Sequence, residues 1–255
     1  MHARGTMAGA FASAPLVLVH GLGVSSRYFE PLIEALADQG TPVLAPDLPG
    51  TGESGDPSHP LDLDELASTL VRWLDARGIR RTSFVANSMG CQVMAKLARS
   101  NPSRVDRLVL VGPTVDPRWR SAPRQIPRWL LESTREPLAL VPTLVRDYLR
   151  FGLRRFVATA RAALHGRLEE DARHVVAKTL VIRGERDAFV SDAWARTLAS
   201  SFPNGSIATL EGAAHAAHYT RPNELVRAMR RFLTNLPLEE PREQRPASRL
   251  HFSTS

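Results

Sequence analysis

Thr82-Ser83-Phe84-Val85-Ala86-Asn87-Ser88-Met89-Gly90-Cys91 is the stretch whose reading decides the fold. Its first half is an apolar run of strand length, and apolar residues then recur at helical spacing through Val93, Met94, Leu97 and Ala98. A serine placed where a buried strand turns sharply into a helix has its hydroxyl pushed out at the top of a sheet. The backbone there is strained and demands small residues two positions either side. Ala86 and Gly90 fill those positions, Ala86 departing by one methyl group from the Gly-x-Ser-x-Gly pattern. Taken alone, Asn87-Ser88-Met89-Gly90 also fits a plain helix start capped by Ser88. The surrounding chain decides between the two.

Outward from this elbow the pattern alternates. On the N-terminal side, Leu16-Val17-Leu18-Val19 is a continuous aliphatic run that ends in His20-Gly21-Leu22-Gly23, the pattern of a buried parallel strand. A helix is expected over Tyr28 to Asp38, stopped by Gly40, then a strand at Pro42 to Ala45 that empties into the Gly- and Pro-rich loop Asp47 to Gly55. A second amphipathic helix runs from Leu63 to Arg77. After the elbow come the strand Arg107 to Val111, then Thr179 to Ile182, a helix Asp192 to Phe202, a strand Ser206 to Leu210 and a last helix Asn223 to Leu236. Strand and helix in alternation imply a parallel sheet covered on both faces, with sites at the carboxyl ends of the strands. The alternation stops between Pro113 and Ala177, a segment with prolines at 117, 123, 127, 137 and 142 and helix-compatible stretches near Arg128–Ser133, Leu138–Leu153 and Arg154–Leu164. The expected organisation is therefore a flexible leader over residues 1–14, a core over 15–112 and 178–236, a helical lid over 113–177, and a flexible tail over 237–255, too polar to order itself.

With 255 residues the chain can bury a full core. Its longest apolar runs are strand-sized, far short of the ~20 residues that span a bilayer, so no membrane partner is expected. The single cysteine, Cys91, excludes an internal disulfide, and the N-terminal stretch has too weak an apolar centre for a signal peptide, so a cytoplasmic location is the default expectation. The formal charge of +7 comes almost wholly from Arg scattered among carboxylates, with Lys only at 96 and 178. No basic patch interleaved with aromatics appears, which argues against a nucleic-acid partner. The His positions lack the spacing of a metal set, and Gly21-Leu22-Gly23 lacks the third glycine and acidic partner of a dinucleotide loop, so neither metal nor cofactor is expected.

A serine hydroxyl is a poor nucleophile at neutral pH; the usual remedy is a histidine base held in one tautomer by a carboxylate. Asp187 lies just past the strand ending at Ile182, and His215 just past the strand ending at Leu210, in the order Ser, Asp, His. With His20-Gly21-Leu22-Gly23, Asp47-Leu48-Pro49-Gly50-Thr51-Gly52-Glu53-Ser54, Asn87-Ser88-Met89-Gly90, Gly184-Glu185-Arg186-Asp187, and His215 followed by Pro222, the chain resembles the α/β-hydrolase superfamily from Leu16 to about Leu236. The resemblance implies an α/β-hydrolase fold, Ser88 as nucleophile, His215 as base and then acid, and Asp187 as the orienting carboxylate. It implies an oxyanion hole from the backbone N–H groups of Leu22 and Met89, and a His20 that bonds backbone without doing chemistry. Relatives usually carry a β-hairpin before the strand that ends at His20. The residues before Leu16 look too few and too rich in Ala and Gly to form it, so a sheet of about six strands is expected, with Val43 to Ala45 nearer an edge.

Competing roles are weighed residue by residue. His218 is a rival base and Asp116 a rival carboxylate. Asp47 and Asp56 are expected to brace loops, Cys91 to pack as a small apolar group and Glu185 to shape a turn. In the lid, Trp119, Trp129, Tyr148, Phe151 and Phe156 suit either an acyl pocket or the lid's own core, and Arg150, Arg154 and Arg155 suit a solvated face or an anionic substrate. The leading expectation is an esterase for a small or medium, largely apolar carboxylic ester, acting as a monomer or homodimer on a small-molecule substrate. Asn87-Ser88-Met89-Gly90 is similar to the elbow of hydrolases that cleave carbon–carbon bonds in ring-fission products, which is the alternative. A hydrolase-like receptor with negligible turnover is the third.

Overall fold

The structure, a computed structural model, describes residues 1–6 and 14–233. In chain order the elements are β1 (Ala3–Thr6), β2 (Leu16–Val19), α1 (Glu30–Ala37), β3 (Val43–Pro46), α2 (Leu63–Ala76), β4 (Thr82–Asn87), α3 (Met89–Ser100) and β5 (Val105–Val111). A helical segment follows, with α4 (Ala122–Ser133), α5 (Val141–Phe151), α6 (Leu153–His165) and α7 (Leu168–Ala172). The chain closes with β6 (Lys178–Gly184), α8 (Asp192–Ser201), β7 (Gly205–Leu210), α9 (Ala217–Thr220) and α10 (Pro222–Leu233).

The strands form one sheet in the order β1-β3-β2-β4-β5-β6-β7, parallel throughout except for β1. The continuous apolar runs of the inner strands follow from burial on both faces, because alternate residues feed opposite layers. Val17 and Val19 pack with the inner faces of α2, α3 and α8, while Leu16 and Leu18 pack with α1 and α10. Phe84 and Ala86 against Val85, and Leu108 and Leu110 against Val109, repeat that division. The start of α2 is fixed by a capping box: Asp62 Oδ1 accepts the N–H groups of Asp64 and Glu65 at 2.9 Å each, and Glu65 Oε2 accepts the N–H of Asp62 at 2.8 Å.

The sheet has seven strands rather than six. The extra one is β1, within the stretch expected to be a flexible leader; residues 7–13 of that leader and the expected tail lie outside the described residues. β1 pairs antiparallel to β3 from Ala3↔Pro46 to Thr6↔Val43, so β3 stands one strand in from the edge. Its sequence shows no apolar alternation because polar anchors hold it. The His2 N–H donates to Ser54 Oγ at 2.9 Å, and Arg4 pairs with Glu53 at 2.9 Å. Gly5 is required there, since a Cβ would sit 2.0 Å from the Val43 carbonyl oxygen.

Parallel register brings the carboxyl ends of β2, β4, β5, β6 and β7 to one edge, which carries His20, Ser88, Gly112, Asp187 and His215. The helices α4 to α6 are inserted between β5 and β6. The break expected between Leu153 and Arg154 falls at Gly152, whose φ of 79° ends α5 and starts α6. The segment's last helix, α7, belongs to the sheet's own layer, with Leu168 and Ala172 buried against α3 and α8. Among the described residues, no helix is long and apolar enough to cross a membrane.

Candidate active site

Ser88 joins β4 to α3 with φ 55° and ψ −122°, and among the described residues it alone combines a side chain with a positive φ. Such a conformation persists only where its surroundings over-determine it. Here the Ser88 N–H donates to the Val111 carbonyl at 3.0 Å, and a Cβ on Gly90 would lie 2.5 Å from the Val19 oxygen and 2.6 Å from the His20 oxygen. Gly21 lets the loop after β2 approach Ser88, since its own Cβ would lie 3.0 Å from that of Ser88. Ala86 is fully buried in the layer beneath, so its methyl group adds packing where the usual pattern has glycine.

His215 Nδ1 lies 2.8 Å from Asp187 Oδ2, both side chains being buried. Asp187 Oδ1 in turn accepts the N–H groups of Phe189 at 2.8 Å and Val190 at 3.1 Å. A carboxylate at Nδ1 requires the proton on that nitrogen in the neutral ring, which leaves the Nε2 lone pair free as a base. Burial favours the neutral ring, but the Asp187 charge and hydrogen bond outweigh it, with Glu132 and Glu136 adding to them, and the His215 pKa is raised to about 9. Gly112, φ 58°, makes room for the pair, because a Cβ there would lie 2.9 Å from the ring and 3.2 Å from Asp187 Oδ2. Among the described residues no hydrogen bond joins His215 to the Ser88 hydroxyl, although both side chains line one cavity of about 410 Å³. Catalytic hydrogen bonds are often long in an empty site and tighten on a bound substrate.

A second cavity of about 340 Å³ also opens on Ser88 and is almost wholly apolar, lined by Val115, Ile126, Phe156, Ala160 and Leu164. Leu22 and Met89 border it, and among the described residues their N–H groups have no hydrogen-bond partner. Of the lid aromatics, Trp129, Tyr148 and Phe156 line the cavities. Trp119 is instead covered by the Arg118 and Arg128 guanidinium groups, and Phe151 is buried.

The rival residues are occupied elsewhere. Asp116 accepts from Arg118 and from Ser191 Oγ at 2.8 Å and does not reach the imidazole. His218 is buried between Tyr28 and Phe29, with ring centroids 4.3 and 4.8 Å away, and burial lowers its pKa to about 3. His20 accepts the Leu48 N–H at Nε2, 2.9 Å, and its Nδ1 lies 2.9 Å from the Gly21 carbonyl, pinning the loop that leads to Leu22. Asp47 accepts the N–H groups of Ser26 at 2.7 Å and Glu53 at 2.9 Å. Glu185 accepts the Gly212 N–H at 2.8 Å, and the buried Cys91 thiol donates to the Ala86 carbonyl at 3.4 Å. Arg155 and Arg150 pair with Asp56, whose pKa their hydrogen bonds hold at about 2, so these two arginines tie the insertion to the loop after β3.

Sequence reasoning missed Glu132 and Glu136. From α4, Glu132 Oε1 accepts the backbone N–H of His215 at 2.5 Å and its Oε2 that of Ala188 at 2.9 Å. One carboxylate thus grips the chain at His215 and next to Asp187. Glu136, one turn on, accepts the Ala216 N–H at 2.8 Å, and burial pushes its pKa up to about 7, with Glu132 adding to the rise. The available signal was two carboxylates four residues apart in an otherwise Arg-rich stretch, Glu132 in the last turn of α4 and Glu136 just beyond its end. Among the described residues no group of three His, Cys, Asp or Glu side chains is arranged to hold a metal ion.

Comparison with known proteins agrees with this architecture. The family model described as the alpha/beta hydrolase family matches residues 16–228. A putative carbamate hydrolase, RutD, of Azorhizobium caulinodans is 34% identical over 101 residues, covering 40% of this chain and only 38% of that protein. Esterase YbfF of Escherichia coli is 26% identical over 88% of this chain and 94% of its own length. The enol-lactonase of Burkholderia xenovorans LB400 superposes with a TM-score of 0.75 at 22% identity, over 91% of this chain and 96% of that one, and shows the shared fold. With the family model spanning strands β2 to β7 and every strand end that carries the site, the chain belongs to the alpha/beta hydrolase family.

Proposed function

We propose that the protein is a serine hydrolase that cleaves carboxylic esters through an acyl-enzyme, with Ser88 as nucleophile, His215 as base and acid, and Asp187 as orienting carboxylate. The observation that carries this reading is the His215–Asp187 hydrogen bond at 2.8 Å, set in the same cavity as a serine held on a strained elbow. In acylation the Nε2 of His215 takes the hydroxyl proton as Ser88 Oγ attacks the ester carbon. The carbonyl electron pair moves to oxygen, which the N–H groups of Leu22 and Met89 hold, a contribution worth about 10²–10³ in rate per donor. Collapse expels the alkoxide, which leaves as alcohol with the proton from His215. Water then repeats the sequence, giving its proton to Nε2 and its oxygen to the acyl carbon, and Ser88 recovers the proton.

The apolar cavity suits the acyl group, and the cavity beside His215 suits the departing alcohol. The insertion acts as the lid over both. Glu132 is a positioning residue that holds the two loops bearing Asp187 and His215 to α4. The ring must be neutral to accept a proton, so acylation is expected to rise with pH through about 9. The test is a panel of nitrophenyl esters of increasing acyl length in stopped flow. A burst of nitrophenol followed by slower turnover supports the reading. Inertness toward every ester, with turnover of a vinylogous diketone acid, overturns it in favour of carbon–carbon cleavage, and tight binding without consumption overturns it in favour of a receptor.

A further inference from the structure

Among the described residues, every large hydrophobic side chain that stands exposed belongs to the segment between β5 and β6. On α5 they form one row at helical spacing, Val141, Val145 and Leu149. Past the Gly152 turn α6 continues with Leu153 and Val157, and Leu149 and Leu153 are each 78% exposed. The segment from 138 to 165 holds five arginines and a single carboxylate, Asp147, which is buried. Arg150 and Arg155 are engaged by Asp56, but the exposed guanidinium groups of Arg146, Arg154 and Arg161 have no ion-pair or hydrogen-bond partner among the described residues. The outer face of α5 and α6 is therefore apolar and cationic at once. An exposed apolar patch of this kind marks an interaction surface.

We propose that this face docks on an anionic lipid surface. A helix surface with aliphatic side chains and interleaved guanidinium groups lies in the headgroup layer, burying the first and pairing the second with phosphates. A second copy of the chain fits less well, since two such faces would set arginines against arginines. Val141 and Val145 also line the lip of the cavity that holds Ser88 and His215, so docking turns the mouth of the site toward the lipid. The short apolar runs of the sequence argue against spanning a bilayer and leave docking open, because docking needs only a face. The inference stands whether or not Ser88 is acylated.

The test is co-sedimentation of the full chain with vesicles of equal parts phosphatidylglycerol and phosphatidylcholine, compared with phosphatidylcholine alone, at low and high salt. Partition into the anionic vesicles is expected, falling steeply with salt. Each arginine near such a surface contributes about fivefold, so the triple variant R146Q/R154Q/R161Q is expected to bind roughly 100-fold more weakly. The triple variant L149S/L153S/V157S is expected to lose at least about tenfold. All six residues are exposed, and circular dichroism melting confirms that both variants fold. The proposal is overturned if folded wild-type protein ignores anionic vesicles, if both variants partition as the wild type does, or if sedimentation shows a dimer that L149S/L153S/V157S dissociates. Failure to hydrolyse esters by a protein that binds vesicles counts against the proposed function alone.

Discussion

The sheet and the helical insertion hold together by different means. In the sheet, side chains such as Val17, Phe84, Leu108 and Val181 are wholly buried between two helical layers, and nothing polar is needed to fix them. The insertion turns many of its large hydrophobics to solvent, packs a small cluster around Leu140 against Val24, Tyr28 and Ala216, and is otherwise attached by polar grips. Glu132 and Glu136 hold backbone N–H groups at Ala188, His215 and Ala216, Arg150 and Arg155 hold Asp56, and Arg120 pairs with Glu169. One half carries Ser88, Asp187 and His215 at the ends of its strands. The other is fastened directly to the loops that bear Asp187 and His215, by Glu132 and by Glu136, whose pKa burial raises to about 7.

The sharpest break of this contrast is at the sheet. Ser88→Ala is expected to lower ester kcat/KM by about 10⁴-fold or more while leaving the melting temperature nearly unchanged, as steady-state kinetics and calorimetry will show. Next in size is one substitution made twice. Leu108→Ala, in the closed layer, is expected to cost about 2–5 kcal/mol, whereas Leu149→Ala, on the exposed face of α5, is expected to stay within about 0.5 kcal/mol; urea unfolding compares them directly.

A third test cuts the grip itself. Glu132→Ala leaves the N–H groups of His215 and Ala188 without acceptors and is expected to lower kcat by roughly 10–100-fold with a smaller change in KM. It also removes a negative charge that raises the His215 pKa, so the rising limb of the pH–rate profile is expected to move below about 9, a shift that loosened packing alone would not produce. The smallest effect belongs to Glu136. Its pKa is raised in the folded state, so its contribution to stability is complete below about 4.5 and is lost as pH rises through about 7. Glu136→Gln is expected to flatten the fall in melting temperature between pH 5 and 8.

What the sequence made legible follows the same division. The inner strands announced themselves because burial on both faces demands unbroken aliphatic runs, and Ser88 and Asp187 each stand just past such a run, while His215 was singled out after the weaker pattern of the edge strand β7. β1 was missed because an edge strand paired on one side, and anchored through His2 and Arg4, needs no apolar pattern. The role of Arg150 and Arg155 was hidden because their partner, Asp56, lies more than 90 residues away in sequence. Glu132 was hidden for the same reason: nothing at position 132 reveals that its acceptors face backbone N–H groups at 188 and 215.

The central claim is that Ser88 carries the acyl group. Rapid quenching of the protein with nitrophenyl butyrate, followed by intact mass measurement and peptide mapping, tests it most directly. The expected result is a single butyryl group on the peptide bearing Ser88, absent from Ser88→Ala and much longer-lived in His215→Gln. A butyryl group on another residue, or turnover of the ester with no acyl adduct under any quench, contradicts the account.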